Sequence, residues 1–321
     1  MARGFLIALA ALVAGACTQG SALGLVPYVV QQGHIDLARG PDGNTVILDA
    51  PDGLIVVDTG RHAEHSKAIV DHAHSVGKPV AAILNTHWHL DHTTGNHDVR
   101  MAFPAARVIA TGAGEGALSG FLASGIAASR ATIADDAAAP ADRAAAQRRL
   151  AAVDDRASFL PGVPVERDGI QHIAGRALEL HVASAAVTES DLWFVDPQEN
   201  IAVVGDLVVA QAPFFDTGCE EGWVRALDEI AAARWNTLIP GHGETMDRAA
   251  FSRWRAAFDG FLNCGRSEAT PSECADRWLA DARGFYAESE RTNVRNLIEY
   301  YVAQVLRAPV ATRMAYCRSG G

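Results

Sequence analysis

The stretch Asn85-Thr86-His87-Trp88-His89-Leu90-Asp91-His92 places four ligand-capable side chains within six residues. It follows Val80-Ala-Ala-Ile-Leu84, an apolar run that reads as a buried strand. Residues two apart leave a strand on the same side, so His87 and His89 present both imidazoles to one point. Asp91 and His92 fall on the turn beyond and face a second point nearby. Imidazole and carboxylate together suit a divalent metal such as zinc. A solvated loop has no need of this concentration of ligands.

Strand-like runs and helical stretches alternate on both sides of this loop. Pro27–Gln31, Thr45–Leu48 and Leu54–Asp58 are strand-like, the last two joined by the Pro51-Asp52-Gly53 turn. Residues 62–76 read as a helix, and Arg107–Ala110 as a further strand. Residues 113–160 are alanine-rich and helical, interrupted at Pro140. Strands resume at Ala177–Ala183, Leu192–Val195 and Ile201–Val204. A helix over Gly222–Arg234 carries Trp223, Leu227 and Ile230 on one stripe. The short strand Thr237–Ile239 runs into Pro240-Gly241-His242-Gly243. From Ala249 to Arg307 the pattern is helical, with Trp254, Phe258, Phe261 and Leu262 as its apolar stripe. That stripe reads either as a cover for the sheet edge or site mouth, or as a dimer contact. The glycine-rich Thr111–Gly116 fits no phosphate-loop spacing and reads as a turn opening a helix.

The sequence resembles the metallo-β-lactamase-fold hydrolases, whose fingerprint is His-x-His-x-Asp-His after a strand. The resemblance covers residues 26–250 and rests on four blocks in order: Val57-Asp58-Thr59-Gly60, the His87–His92 loop, Val204-Gly205-Asp206-Leu207 and Ile239-Pro240-Gly241-His242-Gly243. It implies an α/β fold, a four-layer αβ/βα sandwich with metals at one edge of two sheets. Residues 251–321 then form a C-terminal helical extension. By the same resemblance Asp206 is the carboxylate bridging two metals, His242 the last ligand of the second metal, and Asp58 a partner that orients a ligand histidine. The metal set is His87, His89, Asp91, His92, Asp206 and His242. Within the family, the long helical insert resembles the glyoxalase-II-like and related periplasmic branch more than the β-lactam hydrolases.

One block departs. The family places a third imidazole for the first metal in a stretch like Pro-Gly-His-Thr-Pro-Gly-Asp. Here the stretch is Ala185-Ala186-Val187-Thr188-Glu189-Ser190-Asp191, with Val187 at the ligand position. His181 and His172 read as strand or loop histidines, too far along an extended chain to substitute. The expected state is one firmly held zinc and one weak or empty position, out of one or two ions per chain. Zinc acidifies bound water and polarises a carbonyl oxygen. The expected activity is hydrolysis of an ester, thioester, lactone or amide, with Asp91 or Asp206 as general base. The loss at Val187 motivates an alternative, a non-catalytic binding or accessory protein. His62, His65, His72 and His74 read as a polar helical face, and His97 as an ordinary neighbour of the loop.

The chain has 321 residues, 49% of them hydrophobic and 20% charged, enough for a full core and against disorder. Its net charge of -11 and lack of a long basic run argue against a nucleic-acid partner and leave a small-molecule substrate. Residues 1–22 read as a signal peptide: Arg3, an apolar run from Phe5 to Ala14, then small residues. That run is shorter than the ~20 residues a membrane span needs. Export to the periplasm follows, with secretion as the alternative and a lipid anchor if Cys17 becomes the first residue. In an oxidising compartment Cys264 with Cys274 is the expected disulfide, and Cys219 with Cys317 the second. The oligomeric state is not written in the sequence.

Overall fold

The His-rich loop leaves a sheet at the C-terminal end of the strand Val80–Leu84. In the computed structural model, which describes residues 26–36 and 39–309, that strand is fourth of five. The sheet runs Tyr28–Gln31, Thr45–Ala50, Gly53–Val57, Val80–Leu84, Arg107–Ile109. Its first three strands pair antiparallel and the last two join in parallel. A second sheet runs Thr237–His242, Ile201–Val209, Ser190–Asp196, Arg176–Ser184, Gly169–Ile173, antiparallel except for its first pair. The signal-peptide reading, Cys17 and the Cys317 half of the second disulfide lie outside the described residues.

Side-chain alternation builds the layers. Val46, Leu48, Ile55 and Leu84 of the first sheet meet Leu178, Leu180, Leu192 and Phe194 of the second. Their neighbours Ile47, Leu54, Val56 and Ile83 point the other way, onto Ile69 and Ala73 of the helix Ala63–Val76. On the far side Trp193, Val195 and Val204 point out onto Trp223, Leu227 and Ile230 of the helix Glu220–Ala232. Helix, sheet, sheet and helix thus form the four-layer α/β sandwich. Both faces of each sheet are covered, which is why the central strands read as unbroken apolar runs. Trp254, Phe258, Phe261 and Leu262 of the helix Arg248–Arg266 join that same outer cluster. The disulfide Cys264–Cys274 ties this helix to the next, Pro271–Asp281. Among the described residues no single helix is long and apolar enough to cross a membrane.

The structure differs from the sequence reading in three places that concern the strands and histidines named above. The last strand does not stop at Ile239 but continues through Pro240 to His242. It is an edge strand, where proline's missing N–H breaks no ladder. Gly169–Ile173 is a strand that weak alternation concealed; most of it is exposed. His62 and His65 do not lie on a polar helical face. Both are buried, His65 Nε2 2.7 Å from Thr45 Oγ1 and His62 Nδ1 2.8 Å from Asp42 Oδ2. They fasten the helix start to the strands beside the site. Only His72 and His74 face outward.

Candidate metal centre

Two groups of ligand-capable atoms meet at the edge of the sandwich: His87, His89 and Asp206, and Asp91, His92 and His242. All six are buried. His87 and His89 come from the loop after Val80–Leu84, whereas Asp91 and His92 sit on a single helical turn, Leu90–Thr93. Asp206 is delivered by a bulge in Ile201–Val209, where the pairing register shifts on either side of Gly205. Gly205 has φ +51°, and a Cβ there would stand 2.5 Å from the Thr86 side chain, so the sheets approach this closely only with glycine. His242 ends its strand, and Asn44 Nδ2 donates to the carbonyls of Pro240 and Gly243 on either side of it.

In the second group the spacings suit one small cation. His92 Nε2 and His242 Nε2 are 3.3 Å apart. Asp206 Oδ1 lies 3.2 Å from the first and 3.4 Å from the second, and Asp91 Oδ2 3.3 Å from His242 Nε2. A tetrahedral ion with bonds of about 2.0–2.2 Å separates its ligands by about 3.3–3.5 Å. In the first group Asp206 Oδ2 is 3.6 Å from His87 Nε2 and 4.0 Å from His89 Nδ1. The carboxylate of Asp206 thus offers one oxygen to each group.

Hydrogen bonds on the far side of each ring decide which nitrogen is free. Asp58 Oδ2 lies 2.8 Å from His92 Nδ1, and a carboxylate can only accept, so the ring donates from Nδ1 and leaves Nε2 bare. The Asp58 carboxylate also accepts from Thr86 N and Thr86 Oγ1. Thr86 has then spent its only proton and accepts from His87 Nδ1 at 2.9 Å. Thr217 repeats the device: its hydroxyl donates to Val187 O and accepts from His89 Nε2 at 2.9 Å. His89 consequently turns a bare Nδ1 toward Asp206. Asp58 holds a left-handed φ of +56°, a conformation that aspartate tolerates better than most residues and that recurs at functional sites.

His87 Nε2 and Asp206 Oδ1 are buried and lack a hydrogen-bond partner. Leaving such atoms unmet costs about 1–3 kcal/mol each. A cation in the first group would meet His87 Nε2 and one in the second would meet Asp206 Oδ1, so the residues present fit a divalent metal. The electrostatics agree. Burial drives His87 well below its ordinary value, with His92 and His89 pushing the same way. Burial would raise Asp206, but His92 and His242 hold it well below the usual carboxylate range. Burial would lower His92, yet Asp206, Asp58 and Asp91 raise it well above 6.5, so a metal at this group would displace the proton that Nε2 otherwise carries.

Val187 is buried and packs in the apolar cluster outside the second sheet. Its loop keeps a tight form: Asp191 accepts from Val187 N and from both N and Oγ1 of Thr188. Neither His181 nor His172 enters the site. His181 stacks on Trp193 at 4.1 Å with its Nδ1 3.2 Å from Asp168, and His172 lies on the outer edge strand. His97 is 2.9 Å from Asp155 in the helical insert.

A sandwich with two His/Asp groups sharing one carboxylate at its edge defines a class of metal-binding α/β proteins. The chain belongs to the metallo-beta-lactamase superfamily, whose sequence profile matches residues 38–242. A linear primary-alkylsulfatase of Pseudomonas sp. (strain ATCC 19151) is 40% identical over 50 residues, 15% of this chain and 10% of that protein. The structure of a stereoselective inverting sec-alkylsulfatase from Pseudomonas sp. superposes with a TM-score of 0.56 at 20% identity, over 83% of this chain and 48% of that one. A metallo-beta-lactamase family protein from Thermus thermophilus gives 0.54 at 16% identity, over 87% and 94%. The chain therefore spans about half the length of that alkylsulfatase. At these identities the structural likenesses show the fold.

Of the residues that aim the ligands, the sequence reading named Asp58, which holds His92, and missed Thr86 and Thr217. Thr217 lies 128 residues from His89 in a loop without a motif. Thr217→Val keeps the shape but strands His89 Nε2–H and the Val187 carbonyl. Loss of such a supporting bond typically weakens metal binding ~10–100-fold. The expected result in cobalt(II) titrations followed by absorbance is weakening of the His87/His89 position alone.

Proposed function

We propose that this protein is a zinc-dependent hydrolase of an ester, thioester, lactone or amide, with one firm metal position. The observation that carries the reading is the convergence of His92 Nε2, His242 Nε2, Asp91 and Asp206 at ion-coordinating distances, with His92 fixed by Asp58. A divalent ion bound there acidifies water and polarises the scissile bond. Asp91 and Asp206, both held anionic by the neighbouring imidazoles, would help hold that ion, and we assign them the general-base role toward the attacking water. The buried ring of His87 and the T-shaped pair of Trp88 and His89 close the other side of the site. The alkylsulfatase relatives add sulfate esters to the substrates worth testing. We also propose export: the leader-like residues 1–22 and the formed Cys264–Cys274 bond fit an oxidising compartment.

The reading is tested by a zinc-dependent screen with ester, thioester, lactone, β-lactam and alkyl sulfate substrates. Chelator-sensitive turnover restored by zinc supports it; no turnover of any class by zinc-loaded protein contradicts it. Val187→His restores an imidazole at the position where the family resemblance expects a ligand of the first group. The expected zinc count rises from one toward two, measured by plasma mass spectrometry. An unchanged count shows that a side chain at 187 does not reach the first group.

A further inference from the structure

A cavity of about 680 Å³ opens beside the metal-binding groups, lined by His89, Asp91, Asp206 and His242 at its base. Its size suits a small organic ligand. Trp88, Phe121, Leu122, Ile126, Phe214 and Leu297 make its walls apolar. They come from the His-rich loop, the helical insert, the segment after Ile201–Val209 and the helix Arg291–Tyr300, so a C-terminal helix builds part of the chamber. Phe121 and Leu297 are large apolar residues, 44% and 41% exposed.

Into this apolar space two arginines enter together, Arg61 and Arg149. Arg61 lies 3.6 Å from Asp91 Oδ1, a carboxylate already engaged with His242. Arg149 donates to Ser129 Oγ at 3.1 Å and has no carboxylate partner among the described residues within ion-pair distance. The remaining acidic wall residue, Glu290, turns its carboxylate onto the amide of Ala287. Two like charges in an apolar chamber repel, and burial weakens their hydration. Burial first, then the charge of Arg61, lowers the Arg149 pKa, so the two lie within electrostatic reach. A bound anion relieves both penalties, and guanidinium groups match planar or tetrahedral oxyanions.

We propose that this cavity takes an amphiphilic organic anion, its charged group held by Arg61 and Arg149 and its apolar body by the aromatic and aliphatic walls. As a statement of substrate class this rests on the hydrolase reading; as a statement of binding it does not.

Binding is measured on the full chain, with and without zinc, using two fluorescent probes of one ring frame. One is 8-anilinonaphthalene-1-sulfonate and the other the neutral N-phenyl-1-naphthylamine. Removing a charged hydrogen-bond donor costs about 1.5–3 kcal/mol, at least tenfold in affinity. Arg149→Gln is expected to weaken the sulfonate at least tenfold and the neutral probe less than twofold; Arg149→Lys retains most of the sulfonate affinity. Circular dichroism confirms that the variants fold. Equal weakening of both probes, or an unchanged sulfonate affinity, overturns the proposal.

Turnover of dodecyl sulfate and of a long-chain ester with a terminal carboxylate separates a reacting anion from a spectator one. A raised KM in Arg149→Gln on the substrate that turns over supports the proposal, and an unchanged KM on both counts against it. Probe discrimination without any turnover would uphold the anion cavity and defeat the hydrolase reading alone.

Discussion

His242→Ala is expected to abolish metal binding at the second group, the one proposed to hold zinc firmly, whereas His87→Ala is expected to leave it in place. The asymmetry follows from the donor sets. Asp91 Oδ2, His92 Nε2, His242 Nε2 and Asp206 Oδ1 make a complete four-atom set, and His242 touches two of the others at 3.3 Å. Without it an ion keeps one imidazole and two carboxylates. Losing a supporting hydrogen bond already weakens binding ~10–100-fold, and losing a direct ligand exceeds that. His87 belongs to the other group, which offers two imidazoles and the far oxygen of Asp206. Asp206→Ala should weaken both. Plasma mass spectrometry on gel-filtered variants reads the difference. Retention of zinc by His242→Ala together with its loss from His87→Ala would place the firm ion at the first group.

Gly241→Ala is the second large effect, although glycine is no ligand. A Cβ at 241 would stand 2.0 Å from Asp206 Oδ1 and within 2.8 Å of the backbone of Gly205 and Asp206. These are rigid neighbours, the carboxylate being the one shared by both groups. Overpacking of this kind costs about 1–3 kcal/mol of stability, and the displaced oxygen sits in the coordination set. The expected outcome is a destabilised but folded protein whose zinc affinity falls ~10–100-fold. Competition with a chromophoric chelator, beside a urea melt, measures the two effects separately. Wild-type affinity in this variant would show that the strand pair shifts without disturbing Asp206.

The order of elements and the ligand loop were legible because they follow from local rules. Val80–Leu84 is apolar enough to be central, and His87, His89, Asp91 and His92 crowd the loop and turn directly after it. Asp206 and His242 were readable only through their glycine-bearing blocks. The glycines at 205 and 241 are now explained by close approach to Thr86 and Asp206. What the sequence hid is non-local. Thr217 acts on His89 from a loop 128 residues away, and Arg149 meets Arg61 only because the helical insert folds back over the site. Periodicity also misplaced His62 and His65: their polarity suggested water, but buried partners in Asp42 and Thr45 satisfy them.

The metal content of the purified protein, after mild purification in the absence of chelators, tests the centre most directly. One zinc per chain is expected, with the Cys264–Cys274 bond intact. A chain that holds no divalent metal when exposed to equimolar zinc would contradict a metal centre built from these six residues.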